Sequence, residues 1–207
     1  MKTGFVLIGA LLLFSCGRNK PVAEQEILPV SIPAVFVSSG DTSLQWKNGV
    51  YYYRQLPFSG HITEHYSTDM IHFDRSYYKG KEEGWHLGWY PDGVPAEKRY
   101  YHSGEKDSIH TGWWPNGQPR FEYHFRKGVY HGYFREWYET GQPSQTIHYN
   151  NGLDEQGKGW RQNGKVYMSY ITKNNRRYGL INANLCYTLA GEKGEFSRSV
   201  SDTLAAR

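Results

Sequence analysis

The sequence contains nine histidines, a residue type that binds metals and exchanges protons near neutral pH. Two pairs share an interval of 24 residues, namely His86 with His110 and His124 with His148. If positions one interval apart lie on alternate strands of one sheet, they are separated by about 9.5 Å. Zinc ligands instead converge to within about 2.1 Å of one ion. The spacing therefore predicts structural or surface histidines, and neither a metal site nor a bound cofactor.

The sequence indicates no catalytic nucleophile. It contains neither a Gly-x-Ser-x-Gly elbow nor a glycine-rich phosphate-binding loop. Carboxylates such as Glu97, Glu122, Glu136 and Glu139 are scattered beside basic residues, as on a solvated sheet face. Cys186 has no plausible base near it in the sequence, which favours a buried structural cysteine. We therefore predict that the protein is not an enzyme.

The charge of the chain is nearly balanced. Its 24 Lys and Arg against 20 Asp and Glu give a net charge of +4. The longest basic cluster, Lys173 to Arg177, is typical of a solvated loop. The composition therefore predicts no nucleic-acid partner, because such binding depends on many phosphate contacts.

The amino terminus has the features of an export signal and a lipid anchor. Residues 5–14 are uncharged and apolar, and about ten residues are too few to cross a hydrocarbon core roughly 30 Å thick. Residues 1–15 are therefore predicted to be a signal peptide. The segment Leu13-Phe14-Ser15-Cys16 resembles the bacterial lipobox. This resemblance implies lipid attachment at Cys16 and a location in the bacterial cell envelope. Gly17, rather than Asp, follows Cys16, which by the same resemblance favours the outer membrane.

Two segments flank the central part of the chain. Residues 16–42 are predicted to be a tether that runs into a short extended segment, because Pro29 and Pro33 disfavour a regular helix. Residues 180–207 break the periodicity of the centre. They are predicted to form a strand that caps the sheet edge, followed by a flexible tail.

The central residues 43–179 repeat with a period of 24. Five columns of the sequence keep this interval, and the clearest is Gly80, Gly104, Gly128 and Gly152. The other four columns are Gly93, Gly117 and Gly141; Trp89, Trp113 and Trp137; Pro95, Pro119 and Pro143; and Tyr77, Tyr101, Phe125 and Tyr149. A fifth, shortened unit contributes Trp160 and Asn163-Gly164. Agreement across five columns identifies a tandem repeat.

Each unit has the chemistry of a β-hairpin. Asp92-Gly93, Asn116-Gly117 and Asn163-Gly164 are dipeptides that favour type I′ turns. Return turns are predicted at Lys79-Gly80 and its equivalents, and the runs between the turns have strand length. Because every connection is short, neighbouring strands must pair antiparallel. We therefore predict an all-β fold, an elongated single-layer antiparallel meander. Its aromatic residues are expected to pack on the residues of intervening strands.

The recurring pattern is Gly-Trp-Tyr/Trp-Pro-Asp/Asn-Gly-x-Pro, followed later in the repeat by aromatic-x-x-Gly. It resembles the MORN-repeat variant of bacterial YwqK-like proteins, over about Leu44 to Gly179. The resemblance implies an elongated, twisted antiparallel sheet and no catalytic chemistry. Some members of this family are labelled antitoxins, a role that fits poorly with an exported chain.

Three functions follow from these features. The leading hypothesis is a membrane-anchored, non-catalytic scaffold that presents a sheet face to a protein partner in the cell envelope. A second is a glycan- or peptidoglycan-binding lipoprotein, with aromatic rings stacked on sugars. A third is an enzyme or assembly factor that depends on Cys186.

Overall fold

The computed structural model describes residues 30–67 and 69–181 of the chain. These residues form fifteen β-strands and no helix. The first seven strands are β1 (Phe36–Ser38), β2 (Leu44–Lys47), β3 (Val50–Tyr53), β4 (Leu56–Pro57), β5 (Gly60–His65), β6 (Ile71–Tyr78) and β7 (Lys81–Trp89). The next four are β8 (Pro95–His102), β9 (Glu105–Trp113), β10 (Pro119–Arg126) and β11 (Val129–Trp137). The last four are β12 (Pro143–Asn150), β13 (Leu153–Trp160), β14 (Val166–Lys173) and β15 (Arg176–Leu180).

Twelve strands form one long sheet, in which β5 to β15 follow each other in sequence order. All neighbours from β5 onward pair antiparallel, so the predicted meander of hairpins is confirmed. Pro95, Pro119 and Pro143 open β8, β10 and β12 as expected, at strand ends where a missing N–H is tolerated.

The amino-terminal end differs from a simple meander. β1 pairs parallel with β5, and β2, β3 and β4 form a separate three-stranded sheet. Its backbone joins the long sheet at Gly80, which donates to Phe58 O at 2.6 Å and accepts from Tyr51 N at 2.9 Å. The two sheets enclose a buried cluster of Val37, Phe58, Ile62 and Tyr77. This end of the array therefore has a second layer, which the periodicity did not predict.

The prediction of type I′ turns at Asp92-Gly93, Asn116-Gly117 and Asn163-Gly164 is wrong. At Asp92-Gly93 and its equivalents only the glycine has a positive φ, for example 83° at Gly93. Gly93 N donates to Tyr90 O at 2.9 Å, and Tyr90 N donates to Val94 O at 2.8 Å. This is a type I turn followed by a left-handed glycine, which Pro91 favours because its φ is fixed near −65°.

The return turns are the ones with two positive φ values. Lys79 and Gly80 have φ of 50° and 78°, and Ser103 and Gly104 have φ of 53° and 85°. Lys127-Gly128 and Asn151-Gly152 follow the same pattern. The type I′ geometry therefore belongs to these turns, where the glycine takes up the left-handed conformation without steric cost.

One side-chain hydrogen bond connects the bend of each repeat, the turn that contains Asp92-Gly93 or its equivalent, to the bend of the next repeat. Tyr66, Tyr90, Trp114 and Tyr138 lie 24 residues apart, and each donates from its ring to the main chain of the following bend. The acceptors are the carbonyl oxygens of Trp89, Trp113, Trp137 and Trp160, at 2.9, 2.9, 3.1 and 2.8 Å. The Tyr and Trp side chains of this column therefore fix the position of one bend relative to the next.

Candidate functional site

One face of the long sheet carries a continuous column of rings, here called the aromatic stack. Its members are Tyr77, His86, Tyr101, His110, Phe125, Tyr130 and Tyr149. Successive ring centroids are 4.5 to 5.4 Å apart. The in-phase histidines thus alternate with the in-phase tyrosines and phenylalanine. This confirms that aromatic residues of one hairpin pack on the intervening strand, and it shows how a sheet can bury side chains without a second layer.

The two stack histidines are structural and uncharged. His110 is only 1% exposed and His86 only 4%. The Nε2 of His86 lies 3.0 Å from Ser76 O, and that of His110 lies 2.7 Å from Tyr100 O. Desolvation lowers the pKa of His86 from 6.5 to about 4, and it also lowers the pKa of His110. Both imidazoles are therefore neutral near pH 7 and donate a proton to a main-chain oxygen.

The opposite face carries a second column, here called the cross-sheet row, which crosses nine strands from β7 to β15. Its members, one from each strand, are Trp85, Tyr100, Ile109, His124, Tyr133, His148, Gln156, Ile171 and Tyr178. Cross-strand pairs or ring contacts connect most neighbours of the row. Several members are exposed hydrophobic residues, with Trp85, Ile109, Tyr133, Ile171 and Tyr178 between 38% and 52% accessible. Exposed large apolar side chains aligned in this way make the row a candidate interaction surface.

β-Bulges place part of the row. On β7, three residues from Glu83 to Trp85 lie opposite Ser76 alone. The same three-against-one arrangement recurs at residues 108–110 of β9 and 131–133 of β11. Each bulge contains a residue of positive φ, and these are Gly84, Ser108 and Gly132. Trp85, Ile109 and Tyr133 are all bulge residues, so the distortion repeatedly directs one large side chain to solvent.

Cations cover two of the exposed rings of the row. The ammonium of Lys98 lies 4.1 Å from the centroid of Trp85, and the guanidinium of Arg135 lies 4.0 Å from that of Tyr133. Glu122 accepts a hydrogen bond from Arg135 at 2.8 Å and contacts His124 Nε2 at 2.9 Å. At these two positions the row therefore presents an aromatic ring with a cation over one of its faces.

The carboxy-terminal part of the row opens into a groove of about 460 Å³, here called the row groove. Tyr133 lies at one end and Tyr178 at the other. Between them lie apolar side chains such as Ile171, together with the polar or charged Thr146, Ser169 and Lys158. A mostly apolar groove that also holds a few polar side chains suits a ligand with both apolar groups and hydrogen-bonding groups.

The described residues contain no cluster of side chains that could hold a metal ion. Within 30–67 and 69–181, no three His, Cys, Asp or Glu side chains lie close enough to hold a metal ion. Five histidines contact carboxylates at 3.6 Å or less, yet no serine hydroxyl in this part of the chain hydrogen-bonds to a histidine. His124 and His148, the second in-phase pair, belong to the cross-sheet row. That the protein is not an enzyme stays a prediction.

Both cysteines lie outside the described residues. The structure therefore bears on neither the lipid attachment predicted at Cys16 nor the structural role predicted for Cys186. The same holds for the signal peptide, most of the tether and the capping strand beyond Ile181. In the part of the chain that is described, no helix has the length and apolarity needed to cross a membrane.

Comparison with known proteins gives no identification. No protein family matches the sequence, and no curated protein matches it. The likeness to MORN-repeat proteins therefore stays a prediction from the repeat pattern.

The sequence also contains a periodic signal for the cross-sheet row, which is weaker than the five columns of identical or similar residues. Trp85, Ile109 and Tyr133 keep the 24-residue interval, and so do Tyr100, His124 and His148. The residue types change within each column, so a search for identical residues at the 24-residue interval does not detect these positions. A search for columns of large but variable side chains would have found them.

Proposed function

We propose that this protein is a non-catalytic binding module, held by a lipid at Cys16 in the bacterial cell envelope, that docks a protein partner on the cross-sheet row. The observation that carries the proposal is the alignment of large side chains, six of them exposed, across nine strands on one face. Tyr, Trp and Arg are enriched at the energetic centres of protein interfaces. The row contains Trp85, Tyr100 and Tyr133, and Arg135 lies over the ring of Tyr133.

The cation contacts favour a protein partner over a glycan. Sugar rings stack flat on open aromatic faces, whereas Lys98 and Arg135 each cover one face of Trp85 and Tyr133. A cation over a ring is itself a surface for protein recognition, because it offers apolar contact and a charge at one place. Glu122 holds Arg135 in position, which reduces the side-chain entropy lost on binding.

The row is tested by removing its rings without disturbing the stack. In a Trp85→Ala, Tyr133→Ala double variant we expect at least a tenfold loss of the partner recovered with the tagged, lipidated protein, since interface rings commonly contribute about 2 kcal/mol or more each. The measurement is affinity purification from the native host in mild detergent, followed by mass spectrometry. Trp46→Ala is the matched control, because Trp46 is 63% exposed and lies on the separate small sheet.

Three results would contradict the proposal. The first is a folded double variant that retains the partner at the level of the unmodified protein. The second is an equal loss in the Trp46 control, which would indicate nonspecific adhesion through exposed rings. The third is recovery of glycan fragments without a protein, which would support the sugar-binding hypothesis instead.

The anchor is tested separately through the two cysteines. We expect the unmodified protein to incorporate a fatty-acid label and to fractionate with outer membranes, because several acyl chains together give stable membrane attachment. Cys16→Ser is expected to abolish labelling, and Cys186→Ser, the matched control, to leave it unchanged. Labelling that persists in the Cys16 variant would disprove the anchor.

A further inference from the structure

The positive charge of the array is concentrated at its carboxy-terminal end. Residues 156–181 contain six Lys or Arg and no Asp or Glu. Residues 60–107, in contrast, contain nine Asp or Glu and six Lys or Arg. The end of the array that holds the row groove therefore attracts anionic partners, and the other end does not.

The carboxylates next to the row groove are already engaged within the chain. Glu155 contacts His148 Nδ1 at 2.9 Å and accepts from Asn150 Nδ2 at 3.1 Å. Asp154 accepts from Arg177 at 2.9 and 3.0 Å, and these bonds lower the pKa of its carboxyl group. Neither carboxylate neutralises the cation that lines the groove.

That cation is Lys158, on the central strand of the groove. Its ammonium lies 5.2 Å from the centroid of Trp160 and within 4.0 Å of no carboxylate of the described residues. The side chain is exposed, as are those of its groove neighbours Gln156 and Ser169. Lys158 thus presents an uncompensated positive charge among groups that can hydrogen-bond to a main chain.

We propose that the row groove binds an extended acidic segment of the partner protein, with a carboxylate of that segment paired to Lys158. This inference rests on the proposed function, because it assigns the chemistry of the partner at one end of the cross-sheet row. β11 and β15 are four strand spacings apart, about 19 Å, which matches about six residues of extended chain at roughly 3.3 Å per residue. Apolar side chains of the segment contact Tyr133, Ile171 and Tyr178, and Thr146 and Ser169 bond to its backbone.

The test uses fluorescein-labelled hexapeptides and the purified full-length protein in mild detergent. A peptide of alternating Glu and Leu is expected to bind, and a peptide of alternating Lys and Leu is not. Lys158→Glu is expected to weaken the binding of the acidic peptide by at least about tenfold, since a charge-assisted pair is replaced by repulsion. The affinity should also fall between low and physiological salt, because exposed charges are screened.

Lys173→Glu is the matched control. It makes the same change of charge on the neighbouring strand β14, at an exposed residue that does not line the groove. We expect it to weaken binding by less than about threefold, through long-range attraction alone. Equal effects of the two variants would overturn the assignment of the carboxylate to Lys158.

An acidic glycan is the competing ligand, and a hexamer of galacturonic acid is its probe. Binding of this hexamer without binding of the acidic peptide would overturn the inference, as would failure of both probes. The Trp85→Ala, Tyr133→Ala variant separates this failure from failure of the proposed function. If neither probe binds but that variant still loses the native partner, the protein-docking row stands and the acidic segment is wrong.

Discussion

Replacement of Tyr101 by alanine is expected to lower the free energy of unfolding by about 3–5 kcal/mol, as truncation of buried aromatic residues commonly does. Tyr101 is 8% exposed and lies between the rings of His86 and His110, at 4.5 and 5.4 Å. In a repeat array each unit contacts only its neighbours, so no distant residue moves in to fill the gap. The measurement is urea denaturation followed by circular dichroism.

Tyr133→Ala is the control for this prediction, because Tyr133 lies on the opposite face and is 38% exposed. It is expected to cost about 1 kcal/mol or less, the scale of an exposed cross-strand pair. Similar losses in the two variants would show that the aromatic stack is not the main source of stability. Because the stack links successive repeats, we also expect the unfolding transition of the Tyr101 variant to broaden.

The double variant His86→Phe, His110→Phe is expected to remove most of the loss of stability that the unmodified protein suffers in mild acid. His86 titrates near its ordinary pKa of 6.5 when unfolded and at about 4 when folded. Between these values the unfolded state binds a proton that the folded state does not, so unfolding becomes more favourable as the pH falls. The stability that the protein gains from keeping His86 neutral is complete above about pH 6.5 and is lost progressively down to about pH 4. For His86 alone the loss is about 3 kcal/mol.

Phenylalanine is a suitable replacement because the repeat already has one at the equivalent position, Phe134, 24 residues after His110. The substitution removes hydrogen bonds to Ser76 O and Tyr100 O, so we expect it to cost about 1 kcal/mol per site at pH 7. The measurement is the free energy of unfolding at pH 7.5 and pH 4.5. His65→Gln, at an exposed histidine, is the control and should keep the acid sensitivity of the unmodified protein. A double variant with the same pH dependence as the unmodified protein would disprove the buried neutral state.

Much of the fold was determined by local sequence chemistry. Gly80 and its equivalents, with proline at the start of β8, β10 and β12, fix where hairpins turn and which strands pair. The in-phase Tyr77, Tyr101 and Phe125 predicted rings that pack from strand to strand. These features are predictable because a turn and its two strands lie within about twenty neighbouring residues. The turn types were recoverable too, since Pro91 and Pro115 favour a type I turn before the glycine.

The candidate site was decided by tertiary structure. Two columns with the same period, His86 with His110 and Trp85 with Ile109 and Tyr133, are adjacent in the sequence yet lie on opposite faces. The alternation of side chains along a β-strand places the two columns on opposite faces. Which of these faces is buried, however, depends on the bulges at residues 83–85, 108–110 and 131–133. The separate amino-terminal sheet and the row groove likewise arise from contacts between strands that are distant along the chain. The sequence by itself therefore determined the period, the hairpins and the order of the strands from β5 onward. Only the tertiary structure decided which side chains of each strand are buried in the stack and which form the binding surface, because burial depends on the twist and register of neighbouring strands.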